Sequence, residues 1–374
     1  MKQTLLALAL VAGFTGVARA ETSVTLYGLL DVGVGYERIK GEGDTASRFG
    51  EVQGTQSGSR FGIRGKEDLG DGLSAVFTLE NGFGPTDGRA LQGGRMFGRQ
   101  ATVGLASQTW GKIEFGRQTN MAAKLMAAVD PFAISFNSAN LGTTMGALNT
   151  MRLDNLVMYQ MPTVAGFNFG VGYSFDADTS RTSNDGQNTG FATGDNNRAI
   201  TTALSYENGP VYLAASYDRL NPTNAATGGQ SPARLQEWSL GGTYNFEVVK
   251  IAAAYSQTRD GWFIGQSLNS SPGGDYSDLG TFKLRNGFRA NSTMLGVTVP
   301  VGAITSVFSS WQRAAPNNAT LTGDDKTFNV YALGATHNLT KRTNLYVYAS
   351  YADNYAFHDG VTDTVVATGI RHRF

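Results

Sequence analysis

Short segments in which apolar and polar side chains alternate recur along the chain. Between Val24 and Tyr36, most even-numbered positions carry Val, Leu or Tyr, whereas Asp31 and two glycines occupy odd-numbered ones. Successive side chains of a β-strand point to opposite faces, so this pattern predicts a strand with one apolar and one polar face. The pattern returns near residues 61–63, 75–79, 167–175, 211–217 and 345–351. Such a chain builds a sheet whose two faces meet different surroundings.

The first twenty residues have a different character. Lys2 precedes an apolar run from Leu5 to Val17, and Ala18-Arg19-Ala20 fits a cleavage site, which predicts a secretory signal peptide over residues 1–20. The run is shorter than the roughly 20 residues that a membrane-spanning helix needs. No later apolar stretch is long enough for such a helix, so the exported chain either stays soluble or inserts as a β-barrel.

Turn-forming clusters divide residues 21–374 into seven short links and eight long polar links that alternate strictly, which gives sixteen strands. The long links cover residues 37–58, 84–95, 119–151, 176–198, 219–235, 259–289, 313–326 and 353–363. Short turns at one rim and long loops at the other are typical of outer-membrane barrels. The predicted fold is all-β, a 16-stranded antiparallel transmembrane β-barrel wide enough for an aqueous channel.

Several motifs resemble those of a known family. They are SVTLYG at residues 23–28, SRFGIRGKEDLG at 59–70, FGRQ at 115–118, DPF at 130–132 and the terminus GIRHRF at 369–374. Together they resemble the general porins of Gram-negative outer membranes, closest to the β-proteobacterial branch. The resemblance implies a homotrimer in the cell outer membrane, each barrel having its own pore narrowed by the third external loop. It also implies that the barrel-insertion machinery reads the terminal Phe374.

The third long link, residues 119–151, differs from the other loops in composition. Residues 121–129 are good helix formers that end near Pro131, and much of this segment is apolar. An exposed apolar helix outside the cell favours unwanted association, so we expect the segment to pack against the inner wall. This expectation makes residues 119–151 a pore-constricting loop.

Charged side chains that face the lumen are the candidate functional residues, because a pore selects by size, field and hydrogen bonding. Strand alternation points Arg60 and Arg64 away from Phe61 and Ile63, and therefore inward. Arg152 points inward for the same reason. Arg99 has the parity of its apolar neighbours, which predicts an outward position. The resemblance to porins instead implies that Arg60, Arg99 and Arg152 form a cluster facing the third loop.

Four further charged residues are candidates for the pore constriction. Lys124 and Asp130 lie on the third loop, and Glu80 and Asp31 lie on inward strand faces. Even with Asp154 at the rim, fewer acidic residues oppose the arginines than is usual in the family. Two charges about 7 Å apart at an effective dielectric of 20 interact by about 2 kcal/mol. We therefore expect a weak anion preference, although residues 21–374 carry 28 basic and 30 acidic side chains.

The predicted function is passive diffusion of small hydrophilic solutes and ions across the outer membrane. A substrate-specific channel, for example for sugars, is an alternative, because Tyr27, Tyr346 and Tyr348 share inward parity. An outer-membrane barrel enzyme is a weaker alternative. The chain has no Cys, only three histidines (His337, His358 and His372) and none of the G-x-S-x-G, H-E-x-x-H or nucleotide-binding motifs.

No catalytic residue, cofactor or metal site is therefore predicted. The net charge near −2 of residues 21–374 gives no reason to expect a nucleic-acid partner. The expected partners are further copies of the chain, outer-membrane lipid and lipopolysaccharide, besides the permeating solutes. Loop aspartates, namely Asp176, Asp178, Asp185, Asp195, Asp324 and Asp325, could bridge divalent cations to lipopolysaccharide. Their composition favours a role in loop solubility.

Overall fold

The computed structural model describes residues 22–41, 45–177, 196–222, 233–263 and 282–374. The predicted signal peptide and the loop residues Asp178, Asp185 and Asp195 lie outside these ranges. The described strands are β1 Ser23–Lys40, β2 Thr45–Gln53, β3 Arg60–Gly70, β4 Leu73–Gly82, β5 Gln100–Ser107, β6 Gly111–Thr119, β7 Arg152–Gln160, β8 Phe167–Ser174, β9 Arg198–Asn208, β10 Val211–Asn221, β11 Leu235–Asn245, β12 Lys250–Trp262, β13 Lys283–Val301, β14 Thr305–Asn318, β15 Phe328–Asn338, β16 Thr343–Asp353 and β17 Thr362–Arg373. In the described part of the chain, no helix is long and apolar enough to cross a membrane.

All seventeen strands belong to one antiparallel sheet that closes on itself. Each strand from β3 onward pairs with the next, and β17 returns to pair with β1 from Leu29↔Arg373 to Lys40↔Thr362. Closure leaves no sheet edge with unpaired backbone groups, which a lipid environment requires.

β2 and β3 together occupy one position in this ring. β1 pairs with β3 through residues 23–29 and with β2 through residues 32–40. Between the two strands, residues 54–59 leave the sheet, and the Asp31 backbone accepts a hydrogen bond from the Gly54 N–H at 3.0 Å. The seventeen segments therefore make sixteen positions, and the predicted 16-stranded antiparallel barrel is confirmed.

The predicted long link over residues 37–58 is wrong. It contains the end of β1 and all of β2, which pair antiparallel from Val32↔Gln53 to Lys40↔Thr45. The sequence of β2 shows no apolar face, because Phe49 is flanked on its own face by the polar residues Ser47 and Glu51. The predicted link 259–289 likewise includes the end of β12 and the first residues of β13. Alternation identifies strands only where one face is apolar.

The two faces of the wall follow the alternation read from the sequence. On β1, Val24, Leu26, Leu30 and Val34 are exposed on the outer face, and Asp31 on the other face is completely buried. Exposed Leu, Val and aromatic side chains continue around the outer surface on the other strands. An outer apolar surface and an inner polar one are the distribution of a barrel that spans lipid.

The terminal Phe374 completes the ring. Its backbone exchanges hydrogen bonds with Gly28 at 3.1 Å and 3.0 Å, one residue beyond the Leu29↔Arg373 pair of β1 and β17. The Phe374 ring lies over Gly28, where an added Cβ would come within 2.4 Å of the ring. Glycine at position 28 therefore allows the last side chain to cover the seam between the first and last strands.

Candidate functional site

The third long link lies inside the barrel. After β6, Asn120 precedes a short helix, α1 Met121–Met126, and three single 3₁₀ turns follow before β7. The helix is shorter than the predicted segment 121–129. The loop is held by side chains from the inner faces of β9, β10, β11, β13, β14 and β16, which are Thr201, Tyr212, Asp218, Glu237, Ser292, Gln312 and Ser350.

Buried polar groups fix the ends and the middle of the loop. The Asn120 side chain donates to the Ala147 carbonyl at 2.9 Å and to Asp218 at 3.0 Å. Further along, Gln312 accepts from the Thr144 hydroxyl at 2.9 Å and donates to the Ala139 carbonyl at 2.7 Å. Buried backbone groups of a loop need such partners, since each unpaired group costs about 1–3 kcal/mol.

Small inner-wall residues let the loop come close to the wall. A Cβ at Gly296 of β13 would lie 2.3 Å from the Pro131 ring, and one at Gly241 of β11 would lie 2.9 Å from Val129. Phe132 packs edge-on against Phe308, Phe136 packs against the same ring at a tilt of 56°, and both are almost completely buried. The loop thereby covers one half of the inner wall and leaves the other half open.

An internal cavity of about 610 Å³ separates the loop from the opposite wall. The loop contributes side chains from α1 and from residues 133–137, 140, 149 and 150, and residues 54–58 project from the opposite side. Six basic side chains line this cavity, namely Arg60, Arg99, Lys124, Arg152, Arg371 and Arg373. No carboxylate of the described chain is among its lining residues.

Arg60 and Arg99 share one acidic neighbour in the wall. Arg99 Nε donates to Glu80 Oε1 at 2.6 Å, and Arg60 Nη1 lies 3.9 Å from the same oxygen. The second Glu80 oxygen accepts from the Tyr27 hydroxyl at 2.9 Å. Both carboxylate oxygens of Glu80 therefore have partners in the wall, and Glu80 is not among the residues that line the cavity.

Arg99 reaches the cavity because it precedes β5 by one residue, so strand parity does not determine its direction. Its side chain passes close to Gly82 and Gly58. A Cβ added at Gly82 would lie 3.0 Å from Arg99 Cδ, and one added at Gly58 would lie 3.1 Å from Arg99 Nη1. The outward position expected from periodicity is therefore wrong, and the inward one implied by the family resemblance is what the structure has.

Arg152 lines the cavity from the wall and Lys124 lines it from the loop. Arg152 Nη1 donates to the Thr150 carbonyl at 3.4 Å, and its Nε has no hydrogen-bond partner among the described residues. Lys124 Nζ donates to Gln118 at 2.8 Å and lies 3.1 Å from the Met158 sulfur. Burial lowers the pKa of Lys124 to about 8, because the charged ammonium loses water.

Asp130 does not face the cavity. Its carboxylate is buried and accepts the backbone N–H groups of Phe132, Ile134 and Leu141, each at 2.9 Å. Burial raises the pKa of Asp130 to about 6, although these hydrogen bonds favour the charged form. The expected lumen acid is therefore a group that holds the loop in shape, and placing it in the constriction was wrong.

Asp31 and Arg64 also lie outside the cavity. Asp31 is covered by residues 54–59 and accepts from the Tyr346 hydroxyl at 2.7 Å and the Ser57 N–H at 2.6 Å. Arg64 faces inward but lies over the Tyr27 ring, 5.3 Å from its centre, and lines a separate cavity with Lys112 and Glu114. Three residues of β3 lie between it and Arg60.

Asp154 is neutralised by two arginines that the sequence did not single out. Arg95 Nη1 lies 2.9 Å and 2.8 Å from the two Asp154 oxygens, and Arg117 forms a further short hydrogen bond with one of them. The Asp154 side chain is only 8% exposed. This acid, expected at the rim opposite the arginines, belongs to the basic side of the site.

The two C-terminal arginines were missed. Arg371 Nη1 donates to Ser57 at 2.9 Å and its Nε donates to Asn344 at 3.0 Å. Both Arg371 and Arg373 alternate with Ile370, which is exposed on the outer face. The alternation of β17 therefore indicates their inward direction, in addition to the recognition signal that the terminus resembles.

The three tyrosines of the sugar-channel alternative form no continuous track. Tyr346 and Tyr348 are 2% and 1% exposed and contact Phe136 of the loop. The Tyr27 ring is covered by Arg64. Sugars stack on exposed aromatic faces, and the faces of these rings are already occupied.

A family model described as Gram-negative porin matches residues 7–356. The chain belongs to the Gram-negative porin family. An outer membrane porin protein of Bordetella pertussis is 51% identical over 389 residues, with 100% of both chains aligned. Outer membrane porin protein 32 of Delftia acidovorans is 34% identical over 400 residues, again with 100% of both chains aligned.

Among solved structures, the anion-selective porin from Comamonas acidovorans matches this porin with a TM-score of 0.70 at 29% identity. The match covers 95% of this chain and 100% of that chain. The resemblance seen in the sequence motifs and the predicted location in the outer membrane are confirmed.

Proposed function

We propose that the protein is a passive diffusion channel for small hydrophilic solutes and ions, in which the basic cavity is the narrowest passage and favours anions. One observation carries this proposal. Six basic side chains line the passage between loop and wall, and no carboxylate of the described chain lines it. A ring of one sign of charge biases ions by its field and replaces part of their hydration shell.

The absence of opposing acids makes the preference stronger than the weak one expected from the sequence. Glu80 and Asp154 are paired with arginines, and Asp130 and Asp31 accept hydrogen bonds inside the wall or loop. The local field of the lumen outweighs the net charge of the chain, because screening acts over about 10 Å at 0.1 M salt. The solved relative from Comamonas acidovorans is described as anion-selective, which supports the same sign.

The proposal includes a homotrimer of independent pores, as the family resemblance implies, with a signal peptide over residues 1–20 and recognition of Phe374 during insertion. The half-exposed Phe374 side chain at the short-turn rim supports the last point. It includes no enzymatic step. His337 and His372 lie at the same rim, each 2.8 Å from a threonine hydroxyl, and His358 lies in the link after β16.

The arginines of the wall provide the direct test. In Arg60→Gln/Arg152→Gln, two charges that each act on a nearby ion by about 2 kcal/mol are lost, so the anion-to-cation permeability ratio should fall about tenfold or more. Reversal potentials in a KCl gradient across a planar bilayer measure this ratio. Arg64→Gln is the matched control, because Arg64 faces the lumen outside the cavity, and it should change the ratio much less.

A wild-type channel that prefers cations, or an unchanged ratio in the double variant, would contradict the proposed role of the cavity. Three equal closing steps in single-channel records are expected for the trimer. Conductance that saturates with one sugar would favour the substrate-specific alternative.

A further inference from the structure

The outer wall carries a row of arginines near the rim of the long loops. Arg219 of β10, Arg259 of β12 and Arg289 of β13 share the parity of Leu213, Tyr255 and Leu295, which are exposed on the outer face. Arg259 and Arg289 lie directly opposite each other across the pair of strands. Gln236 of β11 separates Arg219 from Arg259 in the same row.

These cations have no counter-charge in the described part of the chain. No ion pair there involves any of the three. Arg219 Nε donates to Asn221 at 3.0 Å, and Arg259 Nε donates to Gln257 at 2.6 Å. Asp218, next to Arg219, is buried on the inner face, and Asp260, next to Arg259, accepts the Gly287 N–H at 2.9 Å. Like charges placed opposite each other in a sheet destabilise it, so this row is suited to an external anion.

An apolar depression of about 690 Å³ lies on the same strands, nearer the short turns. It is lined on the outer face by Leu204, Leu213, Ala215, Leu240, Ala253 and Leu295. The alanines make it concave between taller leucines. Arg219 lies four residues beyond Ala215 on β10, which corresponds to about 13 Å along a strand.

Aromatic and amide side chains connect the arginine row with the depression. Tyr217 donates to Gln236 at 3.1 Å, and the rings of Trp238 and Tyr255 lie 5.4 Å apart. Tyr255 donates to Asn291 at 3.1 Å. Aromatic side chains with polar tips are typical of the boundary between lipid tails and headgroups.

We propose that this surface binds one molecule of the phosphorylated, multiply acylated glycolipid of the outer leaflet, the lipid A part of lipopolysaccharide. A phosphate bridges Arg259 and Arg289, whose planar guanidinium groups suit bidentate contacts with phosphate oxygens. The sugar lies at the level of Trp238 and Tyr255, and one acyl chain descends into the depression. Charge at the loop rim and a groove below it match an amphiphile of this length and polarity.

The test uses mature protein refolded in detergent without lipopolysaccharide and titrated with bisphosphorylated lipid A under native mass spectrometry. One lipid per protomer is expected. Loss of about 1 kcal/mol per arginine predicts about 30-fold weaker binding by Arg259→Gln/Arg289→Gln. Arg38→Gln is the matched control, since Arg38 is an exposed outward arginine on β1, and it should bind as the wild type does.

Two probes separate the parts of the ligand. Dephosphorylated lipid A should bind to the wild type as weakly as bisphosphorylated lipid A binds to the double variant. Ala253→Trp should lower the affinity for lipid A, because the new side chain fills the depression. Inorganic phosphate should not displace bound lipid A at equal concentration. Equal affinity of double variant and wild type, equal binding of the dephosphorylated lipid, or displacement by phosphate would overturn the proposal. So would a change of oligomeric state caused by Ala253→Trp, which would assign this face to contact between copies.

Discussion

The inner wall of the barrel has two halves that use the same alternation differently. On one half, near β3, β7 and β17, basic side chains point into an open cavity. On the other, from β9 to β16, short polar side chains are covered by the third loop and hydrogen-bonded to it. The difference shows that an inward position by itself does not make a residue functional. What counts is whether the loop leaves it open to water.

The largest effect is expected where the basic half depends on a buried acid. In Asp154→Ala, Arg95 and Arg117 lose their shared carboxylate, and breaking a buried ion pair in this way costs about 3–5 kcal/mol. The free energy of unfolding in detergent should fall by this amount. The matched control is Asp87→Ala, because its pair with Arg89 is exposed and is worth at most about 1 kcal/mol. Similar losses in both variants would show that the Asp154 pairs are not structural.

The covered half can be disturbed at the contact between loop and wall. In Gly296→Val, the new side chain meets the Pro131 ring, so the loop must move toward the arginines or the wall must yield. Overpacking of this kind costs about 1–3 kcal/mol, and single-channel conductance should decrease as the passage narrows. Gly50→Val on β2 is the control, since nothing lies within 4 Å of its added Cβ. Unchanged conductance in Gly296→Val would mean that the loop position does not set the passage.

The smallest effect concerns the one cation that the loop contributes to the cavity. The pKa of Lys124 is lowered to about 8, so its charge is present at pH 6 and is largely lost at pH 9. Anion preference in the wild type should therefore decrease modestly as pH rises through 8. Reversal potentials measured from pH 6 to pH 9 check this, and Lys124→Met should remove the change. A pH dependence that persists in Lys124→Met would assign it to another group.

Several features of the site were within reach of the sequence. Arg60 could be placed inward because its neighbour Phe61 is exposed on the outer face, whereas Leu153, next to Arg152, is completely buried where the pairing of β6 and β7 shifts between Gly116 and Gln118. The same argument applied to Ile370 would have found Arg371 and Arg373. Alternation could not predict the direction of the Arg99 side chain, because it holds only inside a paired strand and Arg99 precedes β5.

The acids could not be assigned from the sequence for a different reason. Asp130 is removed from the lumen by three backbone N–H groups whose positions depend on how the whole loop folds. Asp31 is covered by residues 54–59, which no local pattern identifies as an inward projection. Burial and hydrogen bonding of a carboxylate are properties of its surroundings, and a linear sequence does not give those surroundings.

The sequence by itself determined the barrel, its strand number to within the hidden β2, and the apolar and polar faces of its wall. These follow from a two-residue period that each strand carries locally. Only the tertiary structure decided which inward residues meet water. That outcome depends on contacts between distant parts of the chain, such as the Ser138 and Ser350 hydroxyls at 3.1 Å across 212 residues. The field of the passage is therefore set by where the third loop lies as much as by which charges the chain contains.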